Sequence, residues 1–290
     1  MADLEKELLK KVESLFNLSD ELHKEILKAY KTSLDSVREM LAKFYIKYAV
    51  DGKLNYSDLM KYNRLLYLEE QIKEEVKKLG GIELKQVKLI LKDIYQQAYY
   101  QTAYTLESAS QVAISFSLLK PEFVKEAVTF NWSGVPFSER IWGNHDGLVK
   151  ALRTQLTRGI LEGESLDKLA RRIKNEFDSK AYQSQRLVRT ESARVIAQGQ
   201  LNIYESSGVI ERVQWMSTLD SKTSQICRER DGKIFKLGEQ PVCPAHPNCR
   251  STYTPYLGKE FEIKKRKDNQ TKEIIPYKNY EEWYQAKVKK

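Results

Sequence analysis

The chain has 290 residues, enough for one large or two medium domains with a sizeable core. Hydrophobic residues make up 41% and charged residues 31%, which sets it in the globular range with a strongly charged surface, and the formal net charge of +9 favours a polyanionic partner without requiring one. No stretch approaches the about 18 consecutive apolar residues of a spanning helix, so membrane insertion is not expected.

The N-terminus, MADLEKELLKKVESLF, is amphipathic and charged; it lacks the basic start and apolar run of an export signal. With only three cysteines, this points to a soluble protein made in a reducing cytoplasm. Leu4, Leu8, Val12 and Leu15 repeat at helical spacing and mark one buried face. Ser19-Asp20 reads as the start of a second helix running through Leu22, Ile26 and Tyr30 toward Tyr45. Asn55-Tyr56-Ser57-Asp58 is a further start signal, and Gly80-Gly81 reads as a stop, because glycine takes the left-handed conformation that ends helices. A long helix from about Leu84 to Ser115 follows. Its tyrosines at 95, 99, 100 and 104 are read as core-edge residues with buried rings and wet hydroxyls, with a stacking surface as the alternative.

Residues 129–148 break the helical pattern with Gly134, Pro136, Gly143 and Gly147, while Trp132, Phe137 and Trp142 anchor them, so an ordered connection is expected. His145-Asp146 lies where it would cap the next helix and has no nucleophile at catalytic spacing. Leu148, Leu152, Leu156 and Ile160 mark a helix that ends near Gly163. Leu166, Leu169, Ile173 and Phe177 mark the next, and a third covers about Tyr182 to Ser206. Short strands are expected at Val209–Trp215, Lys233–Phe235 and Ser251–Tyr256. The fold class is therefore α+β: a mainly helical N-terminal half, then a small α+β domain with short antiparallel strands.

All three cysteines, Cys227, Cys243 and Cys249, lie between Asp220 and Pro255, with His246 and four of the seven prolines. Cys243-Pro-Ala-His246-Pro-Asn-Cys249 sets three donors with two residues between each, and the turn at Asp231-Gly232 would return Cys227 to them. Two readings stand: a structural Cys3His zinc site, or three reduced thiols and a histidine on a proline-stiffened hairpin. Paired CxxC motifs are absent, and a disulfide would leave one thiol over.

In chain order, Arg189-Thr190-Glu191, Tyr204, Gly208, Val213-Gln214-Trp215, Asp220, Lys222-Thr223, Cys227, Asp231-Gly232-Lys233 and His246-Pro247-Asn248-Cys249-Arg250-Ser251 resemble the phage head morphogenesis domain of Mu F-like minor head proteins of tailed bacteriophages. The resemblance covers residues 142–255. A further cysteine that many relatives carry just before the first is absent, with Ser224 in that region. The expected organisation is a helical partner-docking region (1–127), an ordered connection (128–147), the Mu F-like domain (148–257) and a basic tail (258–290).

The resemblance implies a non-enzymatic minor capsid protein of the virion interior near the portal. It would act in procapsid assembly and in DNA packaging or ejection. Implied partners are the portal protein, capsid or scaffold proteins and double-stranded DNA, the last through the run Lys264, Lys265, Arg266 and Lys267. Arg189, Glu191 and Asp220 are expected as structural polar residues, Arg189 pairing with Asp220 or Glu191 accepting from backbone around the Cys/His-rich knot. The competing class is an enzyme, a nuclease or an ADP-ribosyl transferase. Against it, no motif sets a nucleophile beside a base, and no acidic cluster suits two-metal chemistry.

Overall fold

The computed structural model of the protein describes residues 4–110, 114, 116–258, 265–268, 271, 273–276 and 282. Helices α1 (Leu4–Tyr48), α2 (Tyr56–Lys61), α3 (Arg64–Ser110), α4 (Pro121–Thr129), α5 (Phe137–Leu161) and α6 (Leu166–Ser207) come first. They are followed by β1 (Arg212–Met216), α7 (Gln225–Arg230), β2 (Ile234–Lys236), β3 (Thr252–Pro255), β4 (Lys265–Lys267) and β5 (Ile274–Pro276). The α+β expectation holds.

Several helices are longer than their local signals predict, and in α1 and α3 the expected terminating residue has a tertiary role instead. Ser19-Asp20 lies inside α1: the Ser19 hydroxyl meets that of Ser192 at 2.7 Å, and Asp20 takes the guanidinium of Arg189. Gly80-Gly81 lies inside α3. A Cβ on Gly80 would sit 2.6 Å from Cζ3 of Trp142, so glycine is there for close packing, not for a left-handed turn. The broken-looking stretch becomes helix from Phe137, with Pro136 at its N-cap. His145 is thus mid-helix and buried, not a cap. The two helices expected after Gly163 are one, α6. Asn55 does cap α2, accepting from the Asp58 amide at 3.1 Å.

The chain forms two compact units from interleaved segments, so neither coincides with the consecutive regions 1–127 and 148–257. One consists of Leu22–Leu89 and Asn131–Arg186. Its apolar stripes include Ile26, Val37, Leu41, Ile72 and Val76 with Ile141, Leu148, Leu152, Leu156, Leu169 and Ile173. Inside it lies a polar trio: Glu83 accepts from the Tyr30 hydroxyl at 2.8 Å and bonds Nε2 of His145 at 2.7 Å, all three buried. Burial first, then the charge of Glu83, pushes the Tyr30 hydroxyl far above its ordinary pKa.

The other unit consists of Met1–Glu21, Ile90–Phe130 and Leu187–Lys290. It holds an antiparallel sheet of order β2-β1-β3, in which Val213 pairs with Phe235 and Trp215 with Tyr253. The Trp215 and Tyr253 rings meet edge-on, 5.4 Å between centroids, and both are fully buried. Around them one apolar core gathers Leu4 and Leu8 of α1, Tyr99, Ala103 and Leu106 of α3, Ile203 and Tyr204 of α6, and all three cysteines. Strands β4 and β5 pair separately as a hairpin.

Candidate functional site

The Cys/His knot hangs from one end of this sheet. Ser217, just past β1, organises its first part. Its amide donates to Asp231 at 2.7 Å, and its hydroxyl donates to the Cys227 carbonyl at 2.7 Å and accepts from Trp215 Nε1 at 2.9 Å. These bonds hold the six-residue α7, and Cys227 on it, beneath the central strand. Asp231-Gly232 then turns the chain, with Gly232 at φ +76° and its amide bonded to the Trp215 carbonyl. The predicted return of Cys227 toward the knot is what this turn accomplishes.

Between β2 and β3 the chain carries the donors. Cys243-Pro244 is a cis peptide, and Asn248 adopts the left-handed conformation at φ +61°. The Asn248 amide donates to the Thr190 hydroxyl at 3.1 Å, and the Cys249 amide to the His246 carbonyl. Sγ of Cys227 lies 3.2 Å from Nε2 of His246 and 3.7 Å from Sγ of Cys249. The donor atoms of these three residues all lie within 4.8 Å of one another. Cys243, the fourth predicted donor, stands outside that group; its thiol donates to the Ser251 carbonyl at 3.2 Å while also acting on Cys249. Hydrogen bonds from Cys227, then Cys243, hold the Cys249 thiol well below its ordinary pKa. The same bonds, then burial, push Cys227 and Cys243 up.

The segment Arg189-Thr190-Glu191 reaches three elements at once, which follows from its spacing: successive residues on a helix look in different directions. Arg189 forks onto Asp20 of α1, at 2.7 and 3.0 Å, where pairing with Asp220 was expected. Asp220 instead takes Arg250 of the HPNCR motif and, at 2.9 Å, the amide of Lys222. Thr190 holds Asn248 of the same motif. Glu191 is buried and pairs with the buried Arg194 at 2.8 Å, where bonds from backbone around the knot were expected. Arg194, which sequence reasoning missed, also donates to the last carbonyls of α4, Ala127 at 2.7 Å and Val128 at 3.0 Å. Its only sequence signal was the i,i+3 spacing from Glu191.

Of the four basic tail residues, Lys264 lies outside the described residues. Lys265, Arg266 and Lys267 form β4, with the backbone alone described. The paired tyrosines divide. Tyr95 and Tyr99 are buried with satisfied hydroxyls, the first accepting from Asn202 at 2.9 Å and the second donating to Ser117 at 2.8 Å. Tyr104 is 69% exposed.

The family described as Phage Mu protein F like protein matches residues 150–254, from α5 through the knot to β3. The minor head protein GP7 of Bacillus phage SPP1 is 25% identical over 293 residues, covering 94% of this chain and 95% of that one. Residues 150–254 are thus similar to the Mu F-like head proteins, and the whole chain to a phage minor head protein. Every motif that carried the resemblance lies in or beside the Mu F-like segment, and Thr190, Asp220, Asn248 and Arg250 join within it. An NAD(+)--arginine ADP-ribosyltransferase EFV of Enterococcus faecalis is also similar, 26% identical over 287 residues. That alignment covers 93% of this chain but 58% of the enterococcal protein. An uncharacterized protein of Haemophilus influenzae is 25% identical over 130 residues, 41% of this chain and 29% of that one. No solved structure matches.

Proposed function

We propose that this Mu F-like protein is a minor head protein that joins the procapsid at the portal vertex and assists DNA packaging or ejection. The observation carrying this reading is the end-to-end alignment with the SPP1 minor head protein, which takes in the helical segments as well as the Mu F-like segment. The helical segments would dock protein partners, the portal first and capsid or scaffold proteins after it. The net charge of +9 suits a position among packaged DNA, inside the virion. None of the helices is long and apolar enough to cross a membrane, among the described residues.

Co-expression with the portal protein of the same phage tests the reading. A complex that survives size exclusion supports it; a free portal ring beside a free chain refutes it. Direct DNA contact has its own signature, a binding constant for double-stranded DNA that falls with salt, the slope flattening by about 0.9 for each phosphate contact removed. Replacing Lys264 to Lys267 with glutamine reads that slope for the tail.

The enterococcal relative brings the enzyme reading into view. We infer that the segment shared with that relative, 58% of its length, is not itself the transferase. The buried Glu191 is engaged by Arg194, inside a structural clamp. Incubation with NAD and an arginine-containing acceptor tests this. Transfer of ADP-ribose that disappears in Glu191→Ala would establish the enzyme.

A further inference from the structure

We propose that Cys227, Cys243, His246 and Cys249 bind one structural zinc ion that braces the loop between β2 and β3. The inference stands independently of the head-assembly reading.

The donor distances fit a tetrahedral ion. Zinc–sulfur bonds of about 2.3 Å at tetrahedral angles separate two sulfurs by about 3.8 Å, and a sulfur and an imidazole nitrogen by about 3.5 Å. Cys227 and Cys249 are 3.7 Å apart, and Cys227 and His246 Nε2 are 3.2 Å apart. A disulfide would need its sulfurs at about 2.05 Å, well inside the observed separation.

The histidine is held in the ligating tautomer. Nδ1 of His246 lies 2.8 Å from the Pro247 carbonyl, an acceptor that can only be met by an N–H. In the neutral ring Nε2 then carries the lone pair, and it is Nε2 that faces the sulfurs. An outer hydrogen bond that sets imidazole orientation in this way is the usual support of a metal-bound histidine.

The fourth position falls to Cys243. Its thiol donates to the Ser251 carbonyl and its sulfur stands outside the group of three, so ligation would require it to release that bond and move inward. Binding expels the proton of each thiol as its sulfur becomes a thiolate, so affinity falls at low pH. Three thiolates and Zn²⁺ leave one net negative charge, and the guanidinium of Arg230, which acts on Cys243, offsets it.

The chain around the donors explains what an ion would do there. From Leu237 to Ser251 the protein has no regular secondary structure, a length uncommon in a compact domain without a local constraint. An ion would fasten that loop to α7 through Cys227. Three of its four ligands come from within seven residues of the loop, so the constraint is concentrated where the backbone is least regular.

The test uses the full chain. After dialysis, elemental analysis should find one zinc per chain, and a strong chelator should remove it with a fall in melting temperature that Zn²⁺ alone reverses. Reconstitution with Co²⁺ should give intense tetrahedral d–d bands and thiolate-to-cobalt absorption. In Cys243→Ser the thiolate band should drop by about a third, whereas an unchanged band would exclude Cys243 and overturn the four-ligand site. Metal-free protein with a melting temperature indifferent to Zn²⁺ and to chelator would overturn the proposal. So would weak octahedral cobalt spectra, or a Cys227–Cys249 disulfide found by mass spectrometry. The wild-type cobalt spectrum decides the matter even where a cysteine variant fails to fold.

Discussion

Gly80 and Gly81 are neighbours in the middle of α3, and the structure predicts opposite consequences for the same substitution at each. Alanine in a helix interior is favoured over glycine by about 0.8–1 kcal/mol, through backbone entropy alone. At Gly81 nothing lies within 4 Å of the added Cβ, so Gly81→Ala should stabilise by about that amount. At Gly80 the Cβ would lie 2.6 Å from Trp142 Cζ3, 3.2 Å from Cε3 of the same ring and 3.1 Å from His145 Cδ2. Trp142 is a rigid ring, and His145 is buried and tied to Glu83, so neither yields as a flexible side-chain tip would. Overpacking of this kind costs about 1–3 kcal/mol and outweighs the entropic gain. Gly80→Ala should therefore be less stable than the parent, and less stable than Gly81→Ala by about 1–3 kcal/mol. Urea unfolding followed by far-UV circular dichroism measures the difference, and helix propensity cancels between the two variants. Equal stabilities would refute the close approach of Trp142 to α3.

Arg194→Met should destabilise by about 3–5 kcal/mol, because it leaves the buried Glu191 without its cation. The double variant Glu191→Leu/Arg194→Met should recover much of that loss, and denaturant melts of it and of the two single variants, Glu191→Leu and Arg194→Met, give the coupling. Tyr30→Phe removes a donor to the buried Glu83 carboxylate and should cost about 1.5–3 kcal/mol, read in the same melts. Alkaline pH should unfold the protein steeply. Burial, then the charge of Glu5, raises the Tyr204 hydroxyl, and burial likewise raises Tyr30, so above pH 10 the unfolded chain loses protons that the folded one keeps. Each such tyrosine contributes stability that is full below pH 10 and declines by about 1.4 kcal/mol per pH unit above it. Tyr204→Phe should flatten the decline by one such step, followed as tyrosinate absorbance against circular dichroism. A slope unchanged by that substitution would place the hydroxyl in water.

Much of the site was legible in the sequence because its residues crowd into one short stretch. Three of the donors lie on a loop that its prolines announce, the Asp231-Gly232 turn after Cys227 is as plain, and the three strands fell within a few residues of their expected places. Helix ends were harder to read. Ser19, Asp20 and Gly80 carry the chemistry of caps and stops, yet each is used for contact with a residue far away in the chain. Local signals and tertiary packing draw on the same residue types, and packing won. Partners at long range were likewise hidden. Nothing near Arg189 indicates that its carboxylate is Asp20, and charge spacing alone could not show that Arg194 would be buried against the end of α4.

The core that surrounds Trp215 also includes Leu4 and Leu8, and the Thr254 hydroxyl donates to Glu5 at 3.3 Å. The first turn of the chain and the last strand of the sheet thus finish the same interior, 249 residues apart. During synthesis the early residues leave the ribosome long before the surface they cover exists, so this unit closes only after translation has passed β3. A fragment limited to residues 150–254 would display that surface to solvent. The Mu F-like segment is thus a recognisable stretch of sequence without being a body that can be cut out and kept.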